Sequence, residues 1–180
     1  MNLASTSKKV IDLGKVAIKP LDPSTGRAAF CCGHDKIDNF CKNNAKKQHR
    51  NNQVRVYDAV YEDELIGYYY LVAKSDSPDS ISEKAREKFG RVQAAPCVYL
   101  GMIGVCEDCQ GNGVGNLLML HAMDVTLRVA DLIGLYALTL DADNDEVAAR
   151  YKKWGFEFFI EGELAMYIPI GTIRDMKNGS

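Results

Sequence analysis

The stretch "CEDCQGNGVGNLL", Cys106 to Leu118, decides how this chain is read. It follows an apolar run, "APCVYLGMIGV" (95–105), and leads into another, "VGNLLMLHAMDVTLRVADLIG" (114–134). The first reads as a strand buried on both sides, the second as a long helix with Gly134 as its stop. Between them lies a glycine loop, Gln110-Gly111-Asn112-Gly113-Val114-Gly115. A strand feeding such a loop into a helix suits an anion. Glycine lets the backbone turn sharply and come close to phosphate oxygens. The first helical turn adds N–H groups without intrahelical acceptors, at the positive end of the macrodipole. A Walker A loop needs Gly-Lys-Ser/Thr where this chain has Gly115-Asn116-Leu117. In a dinucleotide fingerprint the third glycine comes one residue later. From the glycines alone, a left-handed turn without function is an equal reading.

The same stretch holds a Cys-x-x-Cys pair, Cys106 and Cys109. A closed zinc site needs four ligands, and the only other close pair, Cys31-Cys32, is adjacent and chelates poorly. A redox pair sits at a helix N-terminus, whereas here Gln110 to Val114 intervene. The pair therefore reads as incidental and no metal is expected; the reactivity of Cys109 is left open.

Working outward, 180 residues suffice for a single domain over 1–180, with a core of about 16–170 and flexible termini. No apolar run reaches the ~20 residues of a membrane helix. The opening "MNLASTSKKVIDLGKV" lacks the apolar centre of a secretory signal. Six scattered cysteines in a chain with ample core read as free thiols. The cytoplasm is the expected location. A net charge of −2 selects no partner class. "KNNAKKQHR" (42–50) and "KKVIDLGKVAIK" (8–19) are nonetheless locally basic.

Periodicity gives the remaining elements. "VAIKPL" (16–21) reads as a short strand and "HDKIDNFCKNNAKKQ" (34–48) as a helix burying Ile37, Phe40, Cys41 and Ala45. "VRVYDAVY", "EDE" and "LIGYYYLVA" (54–73) read as a hairpin. A polar connection at 75–91 is expected to hold a short amphipathic helix. "LYALTLDA" (135–142) is a strand; "NDEVAARYKKWG" (144–155) is a helix with Asn144 or Asp145 as N-cap and Gly155 past its end. "FEFFI" and "AMYIPI" close the fold as strands. A mixed sheet with helices on both faces satisfies this order.

The spacing of Gln110, Gly113 and Gly115 resembles the acyl-CoA pyrophosphate loop of the GNAT acetyltransferases, Gln/Arg-x-x-Gly-x-Gly/Ala. The flanks are similar too. "VYLGMIGV" resembles that family's fourth strand, and "NDEVAARYKKWGF" its second cofactor motif, supplying Asn144, Tyr151, Gly155 and Phe156. The likeness runs from about Val16 to Ile170. Within the family, "FCCGHDKIDNFCKNNAKKQ" before the hairpin is similar to the GNAT toxins of type II toxin–antitoxin systems, with Phe30, Cys32, Gly33, Ile37 and Asp38 fitting their opening pattern.

The resemblance implies an α/β (α+β) GNAT fold: a mixed sheet of six to seven strands with a splay after the fourth. It implies acetyl transfer from acetyl-CoA to the α-amine of an aminoacyl-tRNA, which blocks translation, and a ribbon-helix-helix antitoxin as partner. A homodimer stays open. Ile103, Val105, Gln110, Gly111, Asn112, Gly113, Val114, Gly115 and Asn144 are the implied cofactor-binding residues, and Tyr151 the general acid that protonates the leaving thiolate. A backbone N–H at Val105 is the candidate to polarise the acetyl carbonyl. An α-amine starts near pKa ~7.7–8.0 against ~10.4 for lysine, so such an acceptor needs little base help. No histidine stands in an obvious base position; Glu107 and Asp108 are candidates for a proton relay. Lys42, Lys46, Lys47 and Arg50, with Lys152 and Lys153, are the candidate tRNA contacts. The alternatives are an N-acetyltransferase for a small amine or protein N-terminus, and a non-catalytic acyl-CoA or partner-binding module.

Overall fold

A computed structural model of the chain describes residues 8–76, 94–160 and 162–179. The helix expected within 75–91 lies for the most part outside the described residues. Seven strands form one mixed sheet in the order β1-β2-β3-β4-β5-β7-β6. They are β1 (Ala17–Pro20), β2 (Arg55–Tyr61), β3 (Glu64–Asp76), β4 (Ala95–Val105), β5 (Ala137–Asp141), β6 (Glu157–Phe158) and β7 (Ala165–Pro169). The described helices are α1 (Asp35–Asn39), α2 (Ala45–Arg50), α3 (Val114–Leu132), α4 (Asp145–Lys152) and α5 (Ile170–Asn178). The seven strands agree with the six to seven that the resemblance implies. The described residues fall into two compact units, one lying within 1–71 and 102–122 and the other within 72–101 and 123–180.

In the first unit β1, β2 and β3 form an antiparallel meander, with a bulge in β2 between Ala59 and Val60. Phe30, Phe40 and Tyr68 make its aromatic centre, the first and last edge-to-face at 5.2 Å and the last two stacked at 6.1 Å. The Tyr68 hydroxyl, deep in this cluster, donates to the Ile37 carbonyl at 2.7 Å. The helix expected over 34–48 is not one regular helix: Phe40–Asn44 is a π-turn between α1 and α2. The π-turn falls at the buried Phe40 and Cys41. The Cys41 sulfur is 3.5 Å from Nη1 of Arg27, whose Nη2 ion-pairs with Asp58. Both charged side chains are buried, at 3% and 0% exposure. Asp38 closes the start of α1 by accepting the Cys32 N–H at 2.8 Å.

In the second unit β4 and β5 run parallel, and β5, β7 and β6 antiparallel. The β4–β5 ladder holds Cys97–Ala137, Val98–Leu138 and Tyr99–Thr139, and ends there although β5 continues to Asp141. Ala95, Cys97, Ala137, Phe159 and Tyr167 form a local core. Two features differ from the sequence reading. Helix α3 stops at Leu132, and Gly134 is not left-handed. Beyond β7, Ile170–Asn178 forms a helix tied back by the ion pairs Arg174–Asp131 and Lys177–Asp124.

A buried ion pair is most costly when one partner is removed, because the other stays charged and dry. Asp58→Ala is expected to destabilise the fold by about 3–5 kcal/mol, seen as a lower urea midpoint. A loss below about 1 kcal/mol, the worth of an exposed pair, would contradict the assignment.

Candidate functional site

The glycine loop belongs to the first unit. β4 ends at Val105, and the next N–H, of Cys106, donates to the Ile66 carbonyl at 2.9 Å. A single 3-10 turn, Glu107–Cys109, then redirects the chain. Gly111 and Gly113 hold φ of +84° and +85°. A side chain at either position would force a conformation that costs an L-residue about 1–2 kcal/mol. At Gly113 an added Cβ would also stand 3.1 Å from a Leu13 methyl. The first bond inside α3 runs from the Leu117 N–H to the Gly113 carbonyl at 3.1 Å. The preceding N–H groups, of Val114, Gly115 and Asn116, are those a helix start leaves without intrahelical acceptors. Val114 is buried, while Gly111, Gly113 and Gly115 keep the backbone partly or fully accessible. A glycine turn ahead of a helix N-terminus is a geometry that suits an anion.

Two side chains fix the cradle rather than extend it. The Gln110 amide donates to the Val105 carbonyl at 2.9 Å and the Cys32 carbonyl at 3.0 Å. Gln110 thus ties the loop to the end of β4 and to the segment before α1. The Asn112 side chain accepts from the Ile11 N–H and donates to the Lys9 and Cys109 carbonyls. In this structure both amides are satisfied by protein backbone, which leaves main-chain N–H groups as the loop's anion donors. Ile103 and Val105 lie half-buried near the end of β4.

Glu107 and Asp108 line a cavity of about 560 Å³ together with Lys9, Phe30, Cys31 and Glu64. The Cys31 thiol faces Glu107 at 3.6 Å. Of the Cys-x-x-Cys pair, Cys106 points its thiol at the Leu65 carbonyl, 3.5 Å away. Cys109 is buried, and burial with the neighbouring Asp108 pushes its thiol up to about 12. It is therefore a neutral thiol at physiological pH. Of the histidines, His49 is half-buried and accepts the Val56 N–H at 3.1 Å, and His121 meets the Tyr69 hydroxyl at 2.6 Å. Lys42, Lys46, Lys47 and Arg50 are all exposed or partly so, on the π-turn and α2.

The second motif belongs to the second unit. Asn144 is the N-cap of α4, accepting the Val147 N–H at 3.0 Å. Gly155, at φ +86°, turns the chain out of the helix. That turn brings Phe156 back against Tyr151, ring centroids 5.7 Å apart. The spacing from Asn144 through Tyr151 to Gly155 and Phe156 is thus a helix start, a held aromatic and a helix stop. Tyr151 is half-buried. Burial, and then the nearby Asp143 carboxylate, raise its phenol above the ordinary tyrosine value. The phenol therefore stays protonated, as a proton donor must, over the physiological range. Lys153 is exposed, and Lys152 places its ammonium 4.3 Å over the Phe158 ring.

The fold and the glycine loop fit an acyl-transferase of the acyl-CoA type. The chain belongs to the acetyltransferase (GNAT) family, whose model matches residues 26–156. It is 33% identical over 176 residues to a protein named probable toxin TacT from Sinorhizobium fredii, covering 90% of this chain and 95% of the relative. It is 26% identical over 133 residues to a tRNA-acetylating toxin of Mycobacterium tuberculosis, covering 72% and 76%. Among solved structures, a tyrosine-to-phenylalanine mutant of KacT superposes with a TM-score of 0.84 at 27% identity, covering 90% of this chain and 99% of that one. AtaT complexed with acetyl-methionyl-tRNAfMet gives 0.83 at 26%, with the same coverage. A tyrosine-to-phenylalanine mutant of the AtaT toxin, bound to the C-terminus of the antitoxin AtaR and acetyl-CoA, gives 0.76 at 25%, covering 91% and 98%.

Asn144 has a structural duty that a cofactor contact would not require. Asn144→Ala is expected to cost about 1 kcal/mol through the lost cap, or roughly 2–4 °C in melting temperature for a chain of this size. An unchanged melting curve would contradict the cap.

Proposed function

We propose that this chain transfers the acetyl group of acetyl-CoA to the α-amine of an aminoacyl-tRNA in the cytoplasm and thereby arrests translation. The observation that carries the tRNA reading is the likeness to AtaT in complex with acetyl-methionyl-tRNAfMet, which extends over nine-tenths of this chain. The likeness to the AtaT mutant bound to the C-terminus of the antitoxin AtaR makes a cognate antitoxin its expected partner.

The residues have separate duties in this reading. Main-chain N–H groups of the loop 110–115 and of the first turn of α3 receive the pyrophosphate of acetyl-CoA. Gln110 and Asn112 hold that loop in shape. Ile103 and Val105 border the acyl group, and the Val105 N–H polarises its carbonyl. Tyr151 donates its phenolic proton to the departing thiolate as the amine attacks. Asn144 holds the start of the helix that carries Tyr151. Lys42, Lys46, Lys47 and Arg50 meet tRNA phosphates, with Lys152 and Lys153 as further contacts, so transfer should weaken as salt rises. Acetyl-CoA supplies the activated thioester; the chain supplies binding, polarisation and a proton.

Tyr151→Phe removes the proton donor and little else. Its kcat is expected to fall by roughly 10²- to 10⁴-fold, with acetyl-CoA binding retained, and bacteria expressing it should grow where the wild type arrests them. Wild-type expression without arrest, with folded protein present, would sink the toxin reading. The pH profile gives a second check. The attacking α-amine must be neutral, so the rate should rise through about pH 8. Tyr151 acts while protonated, and its pKa lies above the ordinary 10.0, so the rate should then hold to at least that pH. A fall in rate by about pH 9, below the ordinary tyrosine range and measured against the charged tRNA still intact at that pH, would contradict Tyr151 as the acid.

A further inference from the structure

The residues before β1 lie on the glycine loop, and the chemistry above makes no use of them. The Lys9 N–H donates to the Asp108 carbonyl at 2.8 Å. The Asn112 side chain accepts the Ile11 N–H at 3.2 Å and returns a bond to the Lys9 carbonyl at 2.9 Å. The Leu13 side chain covers the side of Gly113 where a Cβ would stand. Ile11 is buried at 7% exposure, so this strap is seated rather than loosely apposed. Asn112 is its clasp, since it also donates to the Cys109 carbonyl at 3.0 Å within the loop.

Two lysines open the strap, and they differ. The Lys9 ammonium is engaged by Glu64 at 2.6 Å and Asp108 at 3.6 Å. Lys8 is exposed and makes no ion pair among the described residues. Its Nζ lies 3.9 Å from where a Cβ on Gly111 would stand. The Gln110 and Asn112 amides are held by backbone partners, so the cradle's own donors are neutral N–H groups. A pyrophosphate bears charge that such groups offset only in part, and an ammonium adds a charge-assisted contact.

We propose that Lys8 is a further acetyl-CoA-binding residue, carried over the glycine loop by the strap that Asn112 clasps, its ammonium meeting the pyrophosphate. The inference rests on the reading of the loop given under Proposed function. The test is calorimetric binding of coenzyme A, and of dephospho-coenzyme A lacking the 3′-phosphate, to the full-length protein and its variants. If the wild type fails to bind coenzyme A, the reading of the loop fails and this inference with it. Given wild-type binding, Lys8→Gln should weaken both ligands by roughly three- to tenfold, with a flatter salt dependence, and Lys8→Arg should restore affinity. In turnover, Lys8→Gln should raise the KM for acetyl-CoA and leave kcat unchanged. Asn112→Ala should abolish most of the Lys8 effect, because the released strap no longer places the ammonium. Affinity of Lys8→Gln within about twofold of wild type for both ligands would overturn the proposal while leaving the loop reading intact. Weakening confined to the ligand that bears the 3′-phosphate would overturn the assignment to the pyrophosphate.

Discussion

The step from β4 into α3 turns the backbone through conformations that side chains resist. Here that burden falls on Gly111 and Gly113, at φ of +84° and +85°. Every other feature of the cradle follows from it. Gln110 pins the turn to the end of β4. Asn112 then joins the N-terminal strap to it. The apolar sequence on either side supplies the rigid supports, with Val114 and Leu118 buried as the helix begins. A loop held in this way is preorganised, and under the function proposed above an arriving phosphate meets donors already in place.

Much of this was legible in the sequence, for definite reasons. β4 begins and ends where the apolar run 95–105 does, because the run is bounded by a charged connection and by the glycine loop. Asn144 caps α4 and Gly155 closes it because side-chain capping and left-handed turns have strong residue preferences. What stayed hidden has equally definite reasons. The π-turn at Phe40–Asn44 has the same apolar spacing as an ordinary helix, and its neighbour is a buried Arg27–Asp58 pair joining residues 31 positions apart. The closing helix Ile170–Asn178 begins on a proline that the strand pattern absorbed, and distant ion pairs hold it. The strap depends on Asn112, whose partners at Lys9 and Ile11 lie about a hundred residues away.

The candidate site shows the same division. Its motifs were readable as spacings, yet the spacing alone does not say which atoms carry each role. Gln110 and Asn112 look like ligand-binding amides, but their hydrogen bonds run to the protein's own backbone. Tyr151 is one of nine tyrosines, and Tyr68, Tyr69 and Tyr167 are more deeply buried; what marks Tyr151 is its place against Phe156 with the Asp143 charge nearby. Lys8 carries no motif, and only the fold brings it to Gly111.

The central claim is that the acceptor is the α-amine of a charged tRNA. It is tested most directly by mass analysis of the 3′-aminoacyl adenosines released from total tRNA of cells arrested by the wild-type protein. The expected result is one acetyl group on the α-nitrogen of one or a few amino acids, absent from cells expressing Tyr151→Phe. Arrested cells whose aminoacyl-tRNAs carry no acetyl group would contradict it.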